Sequence, residues 1–281
     1  MRACLGALLA FLVALLPAVS AADSATPTVA GPASRDVYRG GYFLDGLRDA
    51  GRTFTAPVRW NGRDWAIAGG TAAATWGLMT CDTGVRRAIR SNRTRTTKRL
   101  AAFGRGFGEW DYMAGGLIVT GVGADLAGAS RLQRAAWLGL ESFGIASGLW
   151  TTLLKCLAHR HRPYAGDGAH RWDGPGRPVD DSNLSFPSGH AATAWSVLTA
   201  VSATYDDSPY VAPFAYGIAT LTALSRVHDD KHWASDVFFS STLSFFVARA
   251  VVKWHSRAGS EPLTPAMLPG GGVGTAVTFR F

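Results

Sequence analysis

The sequence predicts an all-α fold, a helical bundle of about six core helices with the functional site at one end. Two observations predict it. The 281-residue chain is 47% hydrophobic and only 17% charged, which excludes a disordered chain. Six long apolar segments, rich in Ala and Leu, lack the strict alternation typical of half-buried strands. These segments lie at approximately 65–81, 111–129, 135–157, 188–204, 210–225 and 234–254.

The chain begins with the pattern of an export signal. Arg2 supplies a positive charge, residues 4–19 are apolar and uncharged, and small residues occupy positions 20–22. We therefore expect residues 1–22 to be a signal peptide that directs the protein to a periplasmic compartment, with an uncleaved anchor as the alternative.

Three further parts are expected after this signal: an N-terminal segment at 23–62, a helical core at 63–257 and a C-terminal tail at 258–281. The end of the tail, GGGVGTAVTFRF, predicts one strand without a partner. Outside the signal, the cysteines are Cys81 and Cys156. An oxidising compartment permits a disulfide between them, and two buried free thiols are an equal alternative.

Charged residues interrupt most of the apolar segments, as Asp125, Glu141 and Arg249 illustrate. The uncharged run at 208–225 contains two prolines. Since a membrane span needs about 20 mostly apolar residues, we predict a soluble bundle or one with peripheral membrane contact.

Positive charge is concentrated in one stretch of this chain of net charge +8. Seven Lys and Arg residues and no acidic residue lie between Arg86 and Arg99. Such a run can bind nucleic acid or an anionic membrane. No aromatic residues are interleaved, which argues against single-stranded nucleic acid. We interpret the run as a solvated loop between helices and expect no nucleic-acid partner.

Three short motifs lie at the ends of predicted helices. They are Lys155 followed after six residues by Arg162-Pro163, then Pro187-Ser188-Gly189-His190, then Ser225-Arg226 followed after five residues by His232 and after three more by Asp236. Helix ends would converge on one loop-lined pocket, with the 163–186 loop as a lid.

The first two motifs have the chemistry of an anion site. Lys155 and Arg162 are two helical turns apart, so they can face one direction, and the planar guanidinium of arginine bonds two oxygens of a tetrahedral anion. Pro187 suits the first turn of a helix. The N–H groups of Ser188 and Gly189 would then be unpaired and would attract an anion such as phosphate.

The third motif predicts nucleophilic catalysis. His232 and Asp236 are one helical turn apart, so the carboxylate would accept the Nδ1 proton and leave Nε2 free to attack phosphorus. His190 would protonate the leaving oxygen and later activate water. The cations of Lys155, Arg162 and Arg226 would neutralise the transferred group, so neither a metal nor a cofactor is expected.

The order K-x6-RP, PSGH, SR-x5-H-x3-D resembles the type 2 phosphatidic acid phosphatase superfamily, which includes bacterial acid phosphatases, lipid phosphatases and vanadium-dependent haloperoxidases. All eleven specified positions are present within residues 63–257. The resemblance implies an all-helical core, a phosphohistidine on His232 and leaving-group protonation by His190. It also implies phosphate binding by Lys155, Arg162, Ser188, Gly189 and Arg226.

These observations predict a metal-independent phosphatase that acts on phosphomonoesters or lipid (pyro)phosphates. Its partner would be a phosphorylated small molecule or lipid. One alternative is a haloperoxidase, because vanadate is an analogue of phosphate. The other is a non-catalytic anion- or lipid-binding protein of the envelope.

Overall fold

The computed structural model describes residues 42–258 and two short strands at 264–267 and 273–276. The predicted signal peptide at 1–22 lies outside the described residues. Nine α-helices occupy residues 42–258, and the predicted all-α fold is confirmed. They are α1 (Tyr42–Thr55), α2 (Gly62–Ser91), α3 (Arg95–Gly106), α4 (Trp110–Leu126), α5 (Ser130–Phe143), α6 (Thr152–Ala158), α7 (Gly189–Thr204), α8 (Val211–His228) and α9 (Ala234–Ala258).

The basic run at 86–99 is mainly helical, and its interpretation as a solvated loop was wrong. Helix α2 continues to Ser91, and α3 begins at Arg95 after a capping box formed by Thr94 and Thr97. Side chains of the run also bind elsewhere in the protein, since Arg86 Nε lies 2.9 Å from Asp230 Oδ1. Ion pairs with a distant aspartate therefore hold part of this positive charge.

Helices α5 and α6 form one continuous element, because the residues between them, Gly144–Thr151, adopt a wider π-helical turn. Within it, Thr151 Oγ1 donates to the Ala146 carbonyl at 2.9 Å. The element ends at His159, whose φ of 41° is left-handed. This abrupt end directs the following segment back across the end of the bundle.

Helix α7 lies at the centre of the bundle and packs against α5, α8 and α9. Most of its residues are buried, and they are mainly Ala, Ser and Thr. A helix with no strongly polar face is typical of a core position. Its Trp195 stacks on Tyr216 of α8 at a centroid distance of 5.4 Å. The site described below is built at the N-terminal end of this central helix.

Two expectations about the remainder of the chain need correction. Strand β1 (Thr264–Met267) pairs antiparallel with β2 (Val273–Ala276), so the predicted lone strand has a partner. Cys81 and Cys156 are not joined by a disulfide, and Cys156 is exposed while Cys81 is only partly buried. The alternative of two buried thiols is therefore wrong as well.

Within the described residues, one helical stretch is long and apolar enough to cross a membrane. It spans Ala234–Ser256 with a mean hydropathy of 1.3, and 72% of an apolar 18-residue stretch within it is buried inside the protein. Helices in the buried core of a soluble protein can be equally long and apolar. Several large apolar side chains are exposed on α2 and α4, among them Trp76, Tyr112, Val119 and Leu126.

Arg160 forms a buried ionic connection between α2, α9 and the segment that follows α6. Its Nη2 lies 2.7 Å from Asp82 Oδ2 and its Nη1 lies 2.5 Å from Asp236 Oδ1, and all three side chains are completely buried. The guanidinium also donates to the Ala169 carbonyl at 2.6 Å and lies over the Trp172 ring. Two carboxylates thus share one counterion inside the protein.

Helices α3 and α8 are in close contact at Gly104. A Cβ on this residue would lie 2.8 Å from the Leu221 carbonyl oxygen, whereas a Cβ on Gly106 of the same helix would meet no atom within 4 Å. We expect Gly104→Ala to lower the free energy of unfolding by about 1–3 kcal/mol, because the backbone must shift. Gly106→Ala should leave it unchanged or slightly higher. Denaturant unfolding monitored by circular dichroism measures both, and equal effects would contradict the close contact.

Loss of Arg160 should leave the carboxylates of Asp82 and Asp236 buried without a cation. We expect Arg160→Met to lower the free energy of unfolding by about 3–5 kcal/mol. The control is Arg171→Met. Its ion pair with Asp173 is at 3.2 Å, but its side chain is 57% exposed, so the loss should stay below about 1 kcal/mol. Similar losses for the two variants would refute the role assigned to the buried pairs.

Candidate functional site

The three motifs meet at the end of the bundle where α6, α8 and the segment after α6 approach the starts of α7 and α9. Lys155 is in the last turn of α6, Arg226 is in the last turn of α8, and His232 precedes the start of α9. The positive charges of Lys155, Arg162 and Arg226 all act on the His232 imidazole. The fold therefore brings together residues from all three motifs.

His232 is 2% exposed, and its partner differs from the predicted one. Its Nδ1 lies 2.6 Å from the Ser185 carbonyl oxygen and 3.9 Å from Asp236 Oδ2. A carbonyl can only accept, so Nδ1 carries the proton and Nε2 carries a lone pair. Burial, with the charges of Lys155 and Arg162, holds the pKa of His232 well below its usual value. The imidazole is neutral at pH 7.

Asp236 makes no direct hydrogen bond to His232, because other donors occupy its oxygens. Its Oδ2 accepts from Ser185 Oγ at 2.5 Å and from the Trp233 N–H at 2.8 Å, while Oδ1 accepts from Arg160. The expectation of direct acceptance from the Nδ1 of His232 was wrong for this reason. Asp236 instead fixes the residue whose carbonyl orients the imidazole.

Sequence reasoning missed Ser185 and Arg160. Nothing in its sequence context distinguishes Ser185 from other loop serines. Arg160 lies inside the first motif, between the two residues that the motif specifies. Its signal was indirect: two aspartates that are buried in apolar helices, Asp82 and Asp236, require a nearby cation.

The three cationic side chains of the site are largely buried. Burial, and secondarily the charge of Arg162, lowers the pKa of Lys155 to about 7. Its Nζ donates to the Leu184 carbonyl at 2.5 Å. Burial likewise lowers the pKa of Arg226 to about 10. Nε of Arg162 and both Nε and Nη1 of Arg226 are buried without a hydrogen-bond partner in the described part of the chain.

Helix α7 starts with Ser188 as its N-cap, and the Ser188 side chain accepts from the Ala191 N–H at 3.5 Å. Pro187 follows a cis peptide bond and precedes the cap, so the expectation that it lies in the first helical turn was wrong. Gly189 and His190 are the first helical residues. Their N–H groups have no acceptor within the helix and point toward its positive end.

His190 is positioned by α4. Its Nε2 lies 3.3 Å from Glu109 Oε1, the residue that precedes α4. A Cβ on Gly108 would lie 2.6 Å from the His190 Cβ, so only glycine allows this approach. Burial and the nearby Arg226 lower the pKa of His190 to about 4. Sequence reasoning did not identify Glu109, which belongs to none of the motifs.

The segment at 163–186 was predicted to be a lid, and its final residues instead support the site from within. The carbonyls of Ser182, Leu184 and Ser185 accept hydrogen bonds from Arg162, Lys155 and His232 respectively. Ser185 is completely buried. The Leu184 and Ser185 carbonyls thus bind side chains of the site, and the Ser182 carbonyl accepts from the backbone N–H of Arg162, so this end of the segment forms part of the wall of the site.

Two cavities meet at His190. The larger, about 610 Å³, is lined mainly by charged side chains that include Arg226. The smaller, about 350 Å³, is lined by Lys155 and Gly189 together with Trp110 and Phe143. A bound molecule could therefore contact the cationic residues on one side and apolar walls on the other.

Comparison with known proteins finds a similar bacterial protein and a similar crystal structure. A stretch of 72 residues is 36% identical to the lipid A 1-phosphatase of Porphyromonas gingivalis, covering 25% of this chain and 16% of that protein's length. A crystal structure of a transmembrane PAP2-type phosphatidylglycerolphosphate phosphatase from Bacillus subtilis is 18% identical. It covers 76% of this chain and 94% of that chain, with a TM-score of 0.49.

The PAP2 superfamily model matches residues 136–260. This range contains all three motifs and the Ser185 and Arg160 side chains that support them. Over these residues the chain is similar to the PAP2 superfamily.

Proposed function

We propose that the protein is a metal-independent phosphatase that hydrolyses phosphomonoesters or lipid (pyro)phosphates through a phosphohistidine on His232. The observation that carries this proposal is the set of buried, unpaired guanidinium N–H groups of Arg162 and Arg226 beside a neutral imidazole. Each buried unpaired polar group costs about 1–3 kcal/mol. A tetrahedral oxyanion would satisfy several of them at once.

In the first step, Nε2 of His232 attacks phosphorus and the bond from phosphorus to the leaving oxygen breaks. Lys155, Arg162 and Arg226 bind the non-bridging oxygens together with the N–H groups of the α7 start. Ser188 contributes by capping that helix. The leaving oxygen takes a proton from His190. Because the nucleophile is already neutral, no base is needed to activate it.

In the second step, water attacks the phosphohistidine while His190 accepts its proton. The bond between phosphorus and nitrogen breaks, phosphate leaves, and the His232 imidazole is again neutral. His190 is unprotonated in the free protein because burial and Arg226 lower its pKa to about 4. The negative charge of a bound phosphate offsets Arg226 and raises the pKa of His190, and a monoanionic ester brings the required proton itself.

The name of the Porphyromonas gingivalis relative supports a lipid phosphate as substrate. The exposed aromatic and apolar residues of α2 and α4 support contact with a membrane surface, where such a substrate would lie. Together with the predicted export signal at 1–22, these residues support a reaction at the periplasmic side of a membrane. The substrate is then the only partner that the proposal requires.

Replacement of the nucleophile tests the proposal most directly. We expect His232→Ala to lower the turnover of a generic phosphate ester by at least about 10³-fold with the fold intact. The exposed His170 supplies the matched control, His170→Ala, which should retain full activity. Phosphohistidine is a phosphoramidate, which acid hydrolyses. Wild-type protein that has reacted with a substrate labelled at phosphorus and is then quenched in alkali should therefore carry the label on His232. Substantial activity in His232→Ala, or a label on another residue, would reject the mechanism.

The pH dependence should follow Lys155. Its protonated form binds phosphate and its pKa lies at about 7. Above that pH, kcat/KM should therefore fall by up to about tenfold per unit. Arginine stays charged throughout this range, so Lys155→Arg should show a flatter decline with the same substrate, even if its maximum is lower. If kcat/KM fell equally steeply above pH 7 in wild-type protein and in Lys155→Arg, the assignment of this decline to Lys155 would be contradicted.

A further inference from the structure

The larger cavity beside His190 has an unusual balance of charge. Its lining comprises Arg93, Lys98, Arg105, Glu109, His190, Arg226, His228, Asp229 and Lys231. Five of these side chains are Lys or Arg and two are carboxylates, an excess of three positive charges. Only His190 and Arg226 belong to the motifs. The other cations come from α3 and the segments next to α2 and α8, which the proposed mechanism does not use.

Nearby carboxylates offset only part of this charge, because each is shared between cations. Asp229 lies 3.0 Å from Arg105 and 3.7 Å from Arg226, and Glu109 lies 3.3 Å from His190. Outside the lining, Asp230 lies 3.3 Å from Arg93 but also 2.9 Å from Arg86, and Asp181 lies 3.7 Å from Lys231 but also 2.8 Å from Arg162. Within the described residues, no ion pair is found for Lys98, which is exposed on α3. Lys98 therefore presents a full charge to the cavity.

Two further groups of the lining have unmet hydrogen-bonding capacity. Arg93 contacts the His228 carbonyl through Nη2, but its Nε is buried and has no hydrogen-bond partner in the described part of the chain. The Nε2 of His228 is also buried without a hydrogen-bond partner in the described residues, but it is an acceptor in the tautomer whose Nδ1 donates to Asp229 at 3.1 Å. A buried donor such as Arg93 Nε is usually satisfied by solvent or by a ligand. An oxygen of a bound anion fits this donor.

The position of the cavity indicates how such an anion reaches it. His190 lines both cavities, and in the proposed reaction it donates its proton to the leaving oxygen. A leaving group on the side of the larger cavity would lie among Lys98, Arg105 and Arg93. Positive charge there stabilises a leaving group that is itself anionic, and it does so most strongly as the bond to phosphorus breaks.

We propose that Arg93, Lys98, Arg105 and Lys231 form a second phosphate-binding subsite, which takes the inner phosphoryl group of a diphosphate ester while its terminal phosphoryl group is transferred to His232. This inference rests on the proposed phosphatase function and names its preferred substrate class. The bond between the terminal phosphorus and the bridging oxygen breaks. The monophosphate ester leaves, and water then releases inorganic phosphate from His232.

The test compares two substrates that share one apolar group, farnesyl diphosphate and farnesyl phosphate. Wild-type protein should have the higher kcat/KM for the diphosphate. Lys98→Ala should lower that value about tenfold, the effect of one charge-assisted hydrogen bond, while the value for the monophosphate changes less than about twofold. Arg99→Ala is the matched control. It removes an exposed cation of the same helix that does not line the cavity, and should change neither value.

Equal losses on the two substrates, or no loss with Lys98→Ala, would overturn the subsite. If Lys98→Ala only weakened inhibition by inorganic phosphate and kept the preference for the diphosphate, the cavity would bind free phosphate. That result would also overturn the proposed subsite. If wild-type protein hydrolyses neither substrate, the proposed function fails, and calorimetry still tests the subsite. Methylenediphosphonate should then bind more tightly than methylphosphonate in a Lys98-dependent manner, and equal binding would refute the proposal.

Discussion

The buried guanidinium of Arg160 is the constraint on which the arrangement of the site depends. It pairs with Asp82 from α2 and with Asp236 from α9, so two helices far apart in the chain share one counterion. Neither carboxylate could stay ionised at this depth without it. Asp236 in turn holds the Ser185 hydroxyl, and the Ser185 carbonyl orients His232. An ion pair on one side of the imidazole thus fixes its tautomer and direction.

Positive charge dominates the other side of the imidazole, although Arg162 pairs with Asp181 at 2.8 Å and Arg226 lies 3.7 Å from Asp229. Burial, together with the charges of Lys155, Arg162 and Arg226, keeps the pKa of His232 well below its usual value. Desolvation of these cations, and secondarily their mutual repulsion, is unfavourable in the free protein and lowers the pKa of Lys155 to about 7. In the proposed reaction a bound phosphate would offset both effects, since it would supply negative charge and accept hydrogen bonds from the unpaired N–H groups. The cost of the free site and the proposed affinity for an oxyanion then have the same physical origin.

The helices around α7 decide what else a substrate can contact. Close approach at Gly108 and Gly104 brings α3 and α4 against the end of α7 and the side of α8. Glu109 then reaches His190, and the positive residues of α3 reach the larger cavity. Aromatic residues at the start of α4 and the end of α5 line the smaller cavity. Charge and apolar surface are thereby separated on the two sides of His190.

The sequence by itself determined the helical architecture and the residues for which we propose phosphate chemistry, because both depend on local spacing. Apolar segments of helical length predicted the core helices, and three motifs identified Lys155, Arg162, His190, Arg226 and His232. Tertiary structure alone decided the partners of those residues. The carbonyl that orients His232 is 47 residues away, and Arg160 is 76 and 78 residues from its two aspartates. Such contacts follow from how buried helices pack and how their polar groups find hydrogen-bond partners. Neither can be predicted from the spacing of residues that are close in sequence.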